Sequence, residues 1–208
     1  MNREAVEVPG WLNVSRETLA QLFDFCDLVE KWNPVINLVS RAGIADLWQR
    51  HVIDSAQLFF KSPEGGAAWC DLGSGGGFPG IVLAILAKEL RPDVTFTLVE
   101  SDSRKAVFLA ESARVLSLPV VVLSHRIENL APQNADVLTA RALAPLSLLC
   151  GFAHRHLKPS GIAIFPKGAA ATHEIDDARK TWSFKCESSQ SRTDADAAVL
   201  TIRDIHRA

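Results

Sequence analysis

The sequence has few cysteines, and they are too far apart to form a metal or disulfide framework. The four cysteines form no CxxC pair and lie mostly in apolar stretches. This arrangement gives no indication of zinc or of disulfides, so we predict no metal site. Buried thiols are typical of a reducing compartment, and we predict a cytoplasmic protein.

Long apolar runs are also missing. The longest, near 81–87, is far shorter than the roughly 20 residues that a transmembrane helix needs. Residues 1–10 carry charges of both signs and do not resemble a secretory signal. We therefore expect no membrane partner.

The sequence also lacks a strong net charge. The formal charge is -2 over 208 residues, so no global basic field would attract nucleic acid, and RNA contact would need a local patch. The content of 48% hydrophobic and 22% charged residues predicts one globular unit with a substantial core, and we expect a monomer. Basic residues at the ends of predicted elements are candidates for such a patch: Arg41, Arg50, Arg104, Lys105, Arg126 and Lys167.

What the sequence does have is a glycine-rich segment, DLGSGGGFPG at 71–80. Five glycines in ten residues let a ligand approach the backbone closely. Gly75, Gly77 and Gly80 match the dinucleotide fingerprint GxGxxG, which is weak by itself. The segment follows an apolar run and precedes an apolar helix predicted at 80–90, and this strand–turn–helix order is typical of nucleotide binding.

Two carboxylates favour an adenosine cofactor. Asp71 would repel a pyrophosphate but could hold a cationic amino group, which favours S-adenosylmethionine over NAD; alternatively, Asp71 only caps the turn. Glu100 ends a strand predicted at 94–100, where an acid can bind both ribose hydroxyls. Its alternative role is to cap the helix that begins near Ser103, although Asp102 is better placed for that.

Helical periodicity dominates the first third of the chain. An amphipathic helix is predicted at 15–29, with Ser15 as its N-cap and residues 32–34 as its stop. A second helix is predicted at 44–60. Together they predict a helical N-terminal extension over residues 1–65.

From residue 66 to 208, predicted strands and helices alternate. The alternation indicates an α/β fold, a mostly parallel, doubly wound Rossmann-like sheet with helices on both faces. Ligands of such sheets bind beyond the carboxyl ends of the strands. The predicted strands are 66–72, 94–100, 120–123, 136–139, 162–165, 184–188 and 197–205, and the helices are 80–90, 103–116, 145–156 and 170–180.

Seven segments resemble a known family. In order, they are KWNPVINLVS (31–40), RHVIDS (50–55), DLGSGGGFPG (71–80), ESDSRKAVFL (100–109), HRIENL (125–130), ARALAPL (140–146) and PKG (166–168). They resemble the bacterial 16S ribosomal RNA guanine-N7 methyltransferases of the methyltransferase G type, also called glucose-inhibited division protein B. The resemblance spans nearly the whole chain.

The resemblance implies a class I methyltransferase fold, S-adenosylmethionine as methyl donor and one guanine of 16S rRNA as acceptor. The RNA partner would be the small ribosomal subunit or its assembly intermediate. The cofactor contacts that the resemblance implies are Gly73, Phe78, Ile127, Glu128 and Arg141.

Arg141 and Lys167 are the candidate catalytic residues. Arg141 lies in an apolar run and needs an anionic partner, which could be the cofactor carboxylate, an RNA phosphate or an acidic side chain of the protein. Lys167 could meet a phosphate or guanine O6, or be an ordinary exposed lysine. Glu128, with Ile127 on the adenine face, could read the adenine edge, or could only pair with Arg126.

Arg50, His51 and Asp54 lie at neighbouring helical positions, and Arg50 can pair with Asp54. Guanine N7 carries an in-plane lone pair and loses no proton on methylation, so no general base is needed. We therefore expect a structural network here, and we expect a substitution of His51 to lower stability more than turnover.

Other functions remain open at this point. The fold could equally serve a methyltransferase acting on a small molecule or a protein. The glycine fingerprint also fits an NAD-dependent oxidoreductase, or a non-catalytic module that senses S-adenosylmethionine.

Overall fold

The computed structural model describes residues 3, 6–65 and 68–208. The start of the strand predicted at 66–72 lies outside these residues, and its described part is β1, Ala68–Leu72. The other strands of the described chain are β2 (Thr95–Val99), β3 (Val120–Leu123), β4 (Ala135–Ala140), β5 (Leu157–Lys167), β6 (Trp182–Gln190) and β7 (Ala198–Arg207).

In the described part of the chain these strands form a seven-stranded sheet in the order β3-β2-β1-β4-β5-β7-β6. Neighbours from β3 to β5 run parallel, and β7 runs antiparallel to both β5 and β6. The mostly parallel sheet predicted from the alternation is confirmed. Strand order reverses between β1 and β4, which is where doubly wound sheets place their ligands.

The helices are α1 (Arg16–Ile36), α2 (Arg41–Ala45), α3 (Asp54–Phe59), α4 (Gly80–Leu90), α5 (Ser103–Val115), α6 (Leu146–His156) and α7 (Ala171–Ala178). A π-helical stretch, Trp48–Ile53, precedes α3, and a 3-10 turn, Ile127–Asn129, follows β3. No helix in the described ranges combines the length and apolar character that crossing a bilayer requires.

Helices cover both faces of the sheet because successive strand residues point to opposite sides. Trp69 packs on the face covered by α1, α3, α4 and α5. Its neighbour Cys70 packs on the opposite face, with α6 and α7. The predicted apolar helix α4 is buried from Gly80 to Ala87, which confirms that it lies between other elements rather than at the surface.

The predicted end of the first helix is wrong, because α1 continues through Pro34 to Ile36. Its N-cap is confirmed, since the Ser15 side chain accepts from the Thr18 amide at 3.1 Å. Beyond Pro34, the Asn37 amide donates to the Asn33 carbonyl at 2.9 Å, and Asn37 adopts a left-handed conformation that closes the helix. Burial of Ile36 stabilises this last turn.

The single helix predicted at 44–60 is also wrong. It is divided into α2, which Ser40 caps through the Gly43 amide at 3.1 Å, the π-helical stretch and α3. The wider turn keeps Trp48, Val52 and Ile53 buried. Because π-helical turns alter the angular position of side chains, helical spacing alone could not predict the contacts of this segment.

Candidate functional site

The glycine-rich loop after β1 forms the floor of a cavity of about 490 Å³ at the carboxyl edge of the sheet. Gly73 has φ +66°, and a Cβ there would lie 2.6 Å from a methyl of Leu143. A Cβ on Gly80 would lie 2.4 Å from Leu98 and 2.7 Å from Asp71 Oδ2. Glycine at these two positions therefore permits the turn and the close approach of α4 to the sheet.

Asp71 supports this loop from below. Its side chain is completely buried and does not line the cavity, and its Oδ1 accepts from the Thr139 hydroxyl at 2.7 Å. Oδ2 lies beneath Gly80 and meets no donor at hydrogen-bond geometry in the described chain. Burial raises the pKa of Asp71 to about 6, and the bond from Thr139 acts against that shift.

Glu100 joins two neighbouring loops at the cavity wall. One carboxylate oxygen accepts from the Gly75 amide at 2.8 Å, and the other accepts from the Asp102 amide at 2.8 Å. Asp102, not Glu100, caps α5 by accepting from the Arg104 amide at 2.8 Å. Each oxygen of Glu100 keeps a second lone pair, so the carboxylate can still accept from a ligand hydroxyl.

The turn after β3 supplies another wall. Ile127 and Glu128 both line the cavity, and so does Phe78 of the glycine loop. Arg126 and Glu128 form no ion pair within the described residues, so Glu128 is free of the surface pairing considered as its alternative role. Seven of the eight residues predicted to bind the cofactor thus share one cavity: Gly73, Gly75, Phe78, Glu100, Ile127, Glu128 and Arg141. The eighth, Asp71, is buried beneath the loop and lines no part of that cavity, so a direct contact with a cationic amino group there is not what the geometry offers.

Four further lining residues were not predicted as site residues. Leu38 and Val39 come from the connection between α1 and α2, inside the motif at 31–40, whereas Leu148 and Phe152 come from α6 and lie outside every motif. Leu148 and Phe152 are four residues apart on one helix face, and Leu148 is 51% exposed. In the sequence the available signal was only their spacing, four residues apart on the helix predicted at 145–156.

Arg141 lies at the centre of the network around Arg50, His51 and Asp54, a position that the sequence did not predict for it. One guanidinium nitrogen donates to Asp54 Oδ2 at 3.3 Å and to the Arg50 carbonyl at 3.0 Å, and another donates to His51 Nδ1. The guanidinium also lies 5.6 Å from the ring centre of Phe78. The Arg141 side chain is only 17% exposed and therefore needs an anionic partner. In this structure that partner is the protein's own Asp54.

His51 is neutral in this environment. Burial, and then the positive charges of Arg141 and Arg50, lower the pKa of His51 to about 4. A neutral imidazole can accept from Arg141, and its ring lies 5.0 Å from that of Phe78. Arg50 forms no ion pair with Asp54 in the described chain, because Asp54 binds Arg141 instead.

A second cavity, of about 950 Å³, adjoins the first. The two share His51 and the segment 141–144, so Arg141 borders both. Lys167 lines the second cavity and is not an exposed loop lysine: its ammonium donates to Glu174 at 2.8 Å and to the Ala144 carbonyl at 2.9 Å. Its side chain is 10% exposed.

Basic side chains lie around the mouths of both cavities. Lys105 and Arg126 line the first cavity, and Arg50 lines the second. Together with Arg41 they form no ion pair with the described part of the chain, whereas Arg104 pairs with Asp102 and Lys167 with Glu174. Over the same residues, no three His, Cys, Asp or Glu side chains are grouped as a metal site would require.

Comparison with known proteins assigns this architecture to a family. Residues 18–200 match the GidB family, described as rRNA small subunit methyltransferase G. The chain belongs to this family. The ribosomal RNA small subunit methyltransferase G of Ruegeria sp. (strain TM1040) is 54% identical over 196 residues, covering 94% of this chain and 95% of the relative.

A second relative supports the same family, and a solved structure supports the same fold. The ribosomal RNA small subunit methyltransferase G of Cereibacter sphaeroides (strain ATCC 17025 / ATH 2.4.3) is 50% identical over 203 residues, 98% of each chain. A SAM dependent methyltransferase from Aquifex aeolicus has a TM-score of 0.57 at 13% identity, covering 85% of this chain and 96% of that one. The resemblance to the rRNA small subunit methyltransferase G family is thus confirmed, and so is the predicted methyltransferase fold.

Proposed function

We propose that this family member transfers a methyl group from S-adenosylmethionine to N7 of one guanine in 16S rRNA. The cofactor would occupy the cavity above the glycine loop, and the guanine would enter the adjoining cavity. The observation that carries this proposal is the shared border: Arg141 and His51 line both cavities, so ligands in the two would meet there.

The first cavity has the chemistry that S-adenosylmethionine requires. Its volume of about 490 Å³ lies within the range of small-molecule sites. Its lining combines a carboxylate suited to ribose hydroxyls, Glu100, with apolar side chains suited to an adenine face, Ile127 and Phe152. At Gly73, an added Cβ would clash with Leu143, so the bare backbone preserves the cavity floor.

Bound S-adenosylmethionine supplies a methyl group on a positively charged sulfur, which a lone pair can attack directly. Guanine N7 has such a lone pair, so the protein needs to orient the base rather than remove a proton. Holding two reactants at the correct distance can lower a barrier by roughly 7–11 kcal/mol. A neutral His51 and an Asp54 engaged with Arg141 fit a site without a general base.

Arg141 and Lys167 would position the acceptor. Both are held in place by the protein's own groups, Arg141 by Asp54 and Lys167 by Glu174. Fixed donors at the wall of the second cavity can orient guanine O6 or a phosphate without reorganising during the reaction. We propose that Arg141 additionally contacts the cofactor, since it borders the first cavity as well.

The RNA backbone would lie across unpaired basic residues: Arg50, Lys105 and Arg126, which line the two cavities, and Arg41, at the start of α2. Phosphate contacts of this kind release counterions and make binding depend on salt. The partner would be the small ribosomal subunit or its assembly intermediate. We also propose that the protein acts as a monomer in the cytoplasm.

The test is methyl transfer from labelled S-adenosylmethionine to small ribosomal subunits prepared from cells that lack this enzyme. Mass mapping of the labelled rRNA fragment should find one methyl group on N7 of a guanine. Label on another atom or on protein would overturn the assigned acceptor. Binding of S-adenosylmethionine without transfer would favour a sensor, and binding of NAD instead would favour an oxidoreductase.

A further inference from the structure

Gln57 is a buried polar residue that touches neither cavity. Its side chain is 1% exposed and lies in α3, behind the wall of the second cavity. Its amide nitrogen donates to Asp54 Oδ1 at 2.8 Å and to the Ser191 hydroxyl at 3.0 Å, and its amide oxygen accepts from the Arg192 backbone at 2.9 Å. A buried amide with its oxygen and nitrogen both used fixes the parts that it joins.

The loop joined in this way, residues 191–197, connects β6 to β7. Thr193 reaches the same helical segment, because its hydroxyl donates to Asp54 Oδ1 at 2.8 Å. The Arg192 guanidinium lies 4.6 Å from the ring centre of Trp11, which precedes α1. The end of the sheet is therefore held against the N-terminal helical region through side chains far apart in the sequence.

These contacts determine the shape of the second cavity. On one side it is lined by Asp46, Gln49, Arg50 and Asp54, and on another by loop residues Ser191, Thr193 and Asp194. The first cavity includes no residue of this loop. Release of the loop would therefore widen the second cavity and leave the lining of the first unchanged.

We propose that Gln57 is a positioning residue for the RNA acceptor: with Asp54 and Thr193 it latches loop 191–197 to the N-terminal helices and so completes the acceptor cavity. This inference rests on the proposed function, since it takes the second cavity as the acceptor site. It gives the helical extension a specific part in substrate binding. Gln57 and Thr193 bind Oδ1 of Asp54, whereas Arg141 binds Oδ2, so loss of the Gln57 or Thr193 bond acts on the acceptor cavity and leaves the pairing of Arg141 beside the cofactor in place.

The test compares Gln57→Met with Gln21→Met. Both changes replace a glutamine by an apolar side chain of similar length. Gln21 donates to the Leu116 carbonyl at 3.2 Å, between α1 and α5, and lines neither the cofactor cavity nor the acceptor cavity. Methyl transfer to small subunits that lack the modification gives KM for the subunit, and calorimetry gives Kd for S-adenosylmethionine.

For Gln57→Met we expect KM for the subunit to rise about tenfold, an effect of the size expected when buried hydrogen bonds are lost. Kd for S-adenosylmethionine should stay within about twofold of the unmodified protein. For Gln21→Met, both values should stay unchanged, whatever its effect on stability. A KM for the subunit in Gln57→Met equal to that in Gln21→Met would contradict the proposed positioning role of Gln57.

A second pair of variants keeps the proposal testable if Gln57→Met does not fold. Thr193→Val removes the hydroxyl bound to Asp54, and Thr193→Ser retains it. KM for the subunit should rise in the valine variant and return toward normal in the serine variant; equal values in the two would contradict the latch. If the unmodified protein itself transfers no methyl to the subunit, the proposed function fails, and the latch fails with it.

Discussion

The two adjoining cavities are built in different ways. The first is lined largely by the ends of successive parallel strands, with Gly73, Glu100 and Ile127 each following one strand in chain order. The second joins the N-terminal helical segment, the loop after β4, the end of β5 and loop 191–197. Backbone topology dictates the first cavity, whereas specific side-chain contacts complete the second.

The two cavities differ in this way because the two proposed ligands place different demands on the fold. A cofactor site at the switch point of a doubly wound sheet follows from the fold itself. The acceptor differs among methyltransferases of one fold, so its site depends on additions to the sheet. Arg141 links the two, because it borders both cavities and is held by Asp54 of the N-terminal segment.

The largest effect should come from Gly80→Ala, which tests the first cavity. The added methyl would clash with Leu98 and Asp71, both completely buried, so neither neighbour has room to move. We expect a loss of about 3 kcal/mol in the free energy of unfolding, as for overpacked cores, and weaker binding of S-adenosylmethionine. Urea denaturation and calorimetry measure the two quantities.

Gly10→Ala is the matched control, because a Cβ there meets nothing within 4 Å. It should change neither quantity. If Gly80→Ala is as stable as Gly10→Ala, then close contact between α4 and the sheet does not shape the loop.

Next in size is Asp54→Ala, which should affect both cavities. It leaves the largely buried Arg141 without its carboxylate and also removes the acceptor for Thr193. We expect the free energy of unfolding to fall by about 2 kcal/mol, less than for a fully buried ion pair, together with weaker binding of cofactor and RNA. Asp177→Asn, at an exposed pair with Lys180, is the control and should leave binding unchanged.

A smaller effect is expected for Arg126→Gln, at the mouth of the first cavity. Loss of one phosphate contact should weaken RNA binding a few-fold and lower the slope of log affinity against log salt by about one. Arg114→Gln, in the last turn of α5 and paired with Glu111 at 2.8 Å, lines neither cavity and should change neither quantity. Filter binding over a salt series measures both, and equal slopes in the two variants would remove Arg126 from the RNA surface.

The smallest expected effect is a change in the pH dependence of stability in His51→Asn. The pKa of His51 is about 4 in the folded protein against its ordinary 6.5, so the unfolded chain binds the proton first. Stability from this group is therefore lost as pH falls from about 6.5 to 4. Asp71 acts in the opposite sense, because its raised pKa of about 6 makes stability fall as pH rises from about 4 to 6.

The variant keeps Asp71, so its difference from the unmodified protein isolates His51. The urea midpoint of His51→Asn minus that of the unmodified protein should be more positive at pH 5 than at pH 7, because the variant lacks the stability loss that His51 causes on acidification. Turnover at neutral pH should persist, since His51 is proposed to hold Arg141 and not to move a proton. A folded variant that binds the cofactor normally but has no turnover would contradict that role.

Sequence patterns predicted the first cavity well because its signals are local. Apolar β1, the glycines and apolar α4 are contiguous, and the prediction of α4 at 80–90 is confirmed to the residue. Glu100 could be found because it ends a predicted strand, and Ile127 because it lies in the segment after the next strand and in a motif that resembles the family. The role of individual residues toward the cofactor stays a prediction.

The second cavity could not be predicted in the same way. Gln57 and Ser191 are joined by a hydrogen bond of 3.0 Å although more than half the chain separates them, and neither lies in a recognisable motif. The π-helical stretch Trp48–Ile53 also changes which side chains share a face, so regular helical spacing gave wrong neighbours for Arg50 and Asp54. Contacts of this kind depend on tertiary packing that no local pattern records.

The most direct test of the two-cavity account is a crystal structure of the protein with S-adenosylhomocysteine. We expect density for the ligand in the glycine-loop cavity, with its ribose hydroxyls at Glu100 and its amino-acid end directed toward Arg141. The second cavity should remain open beside it for a guanine. Density for the ligand in the second cavity, or an empty first cavity at saturating ligand, would contradict the account.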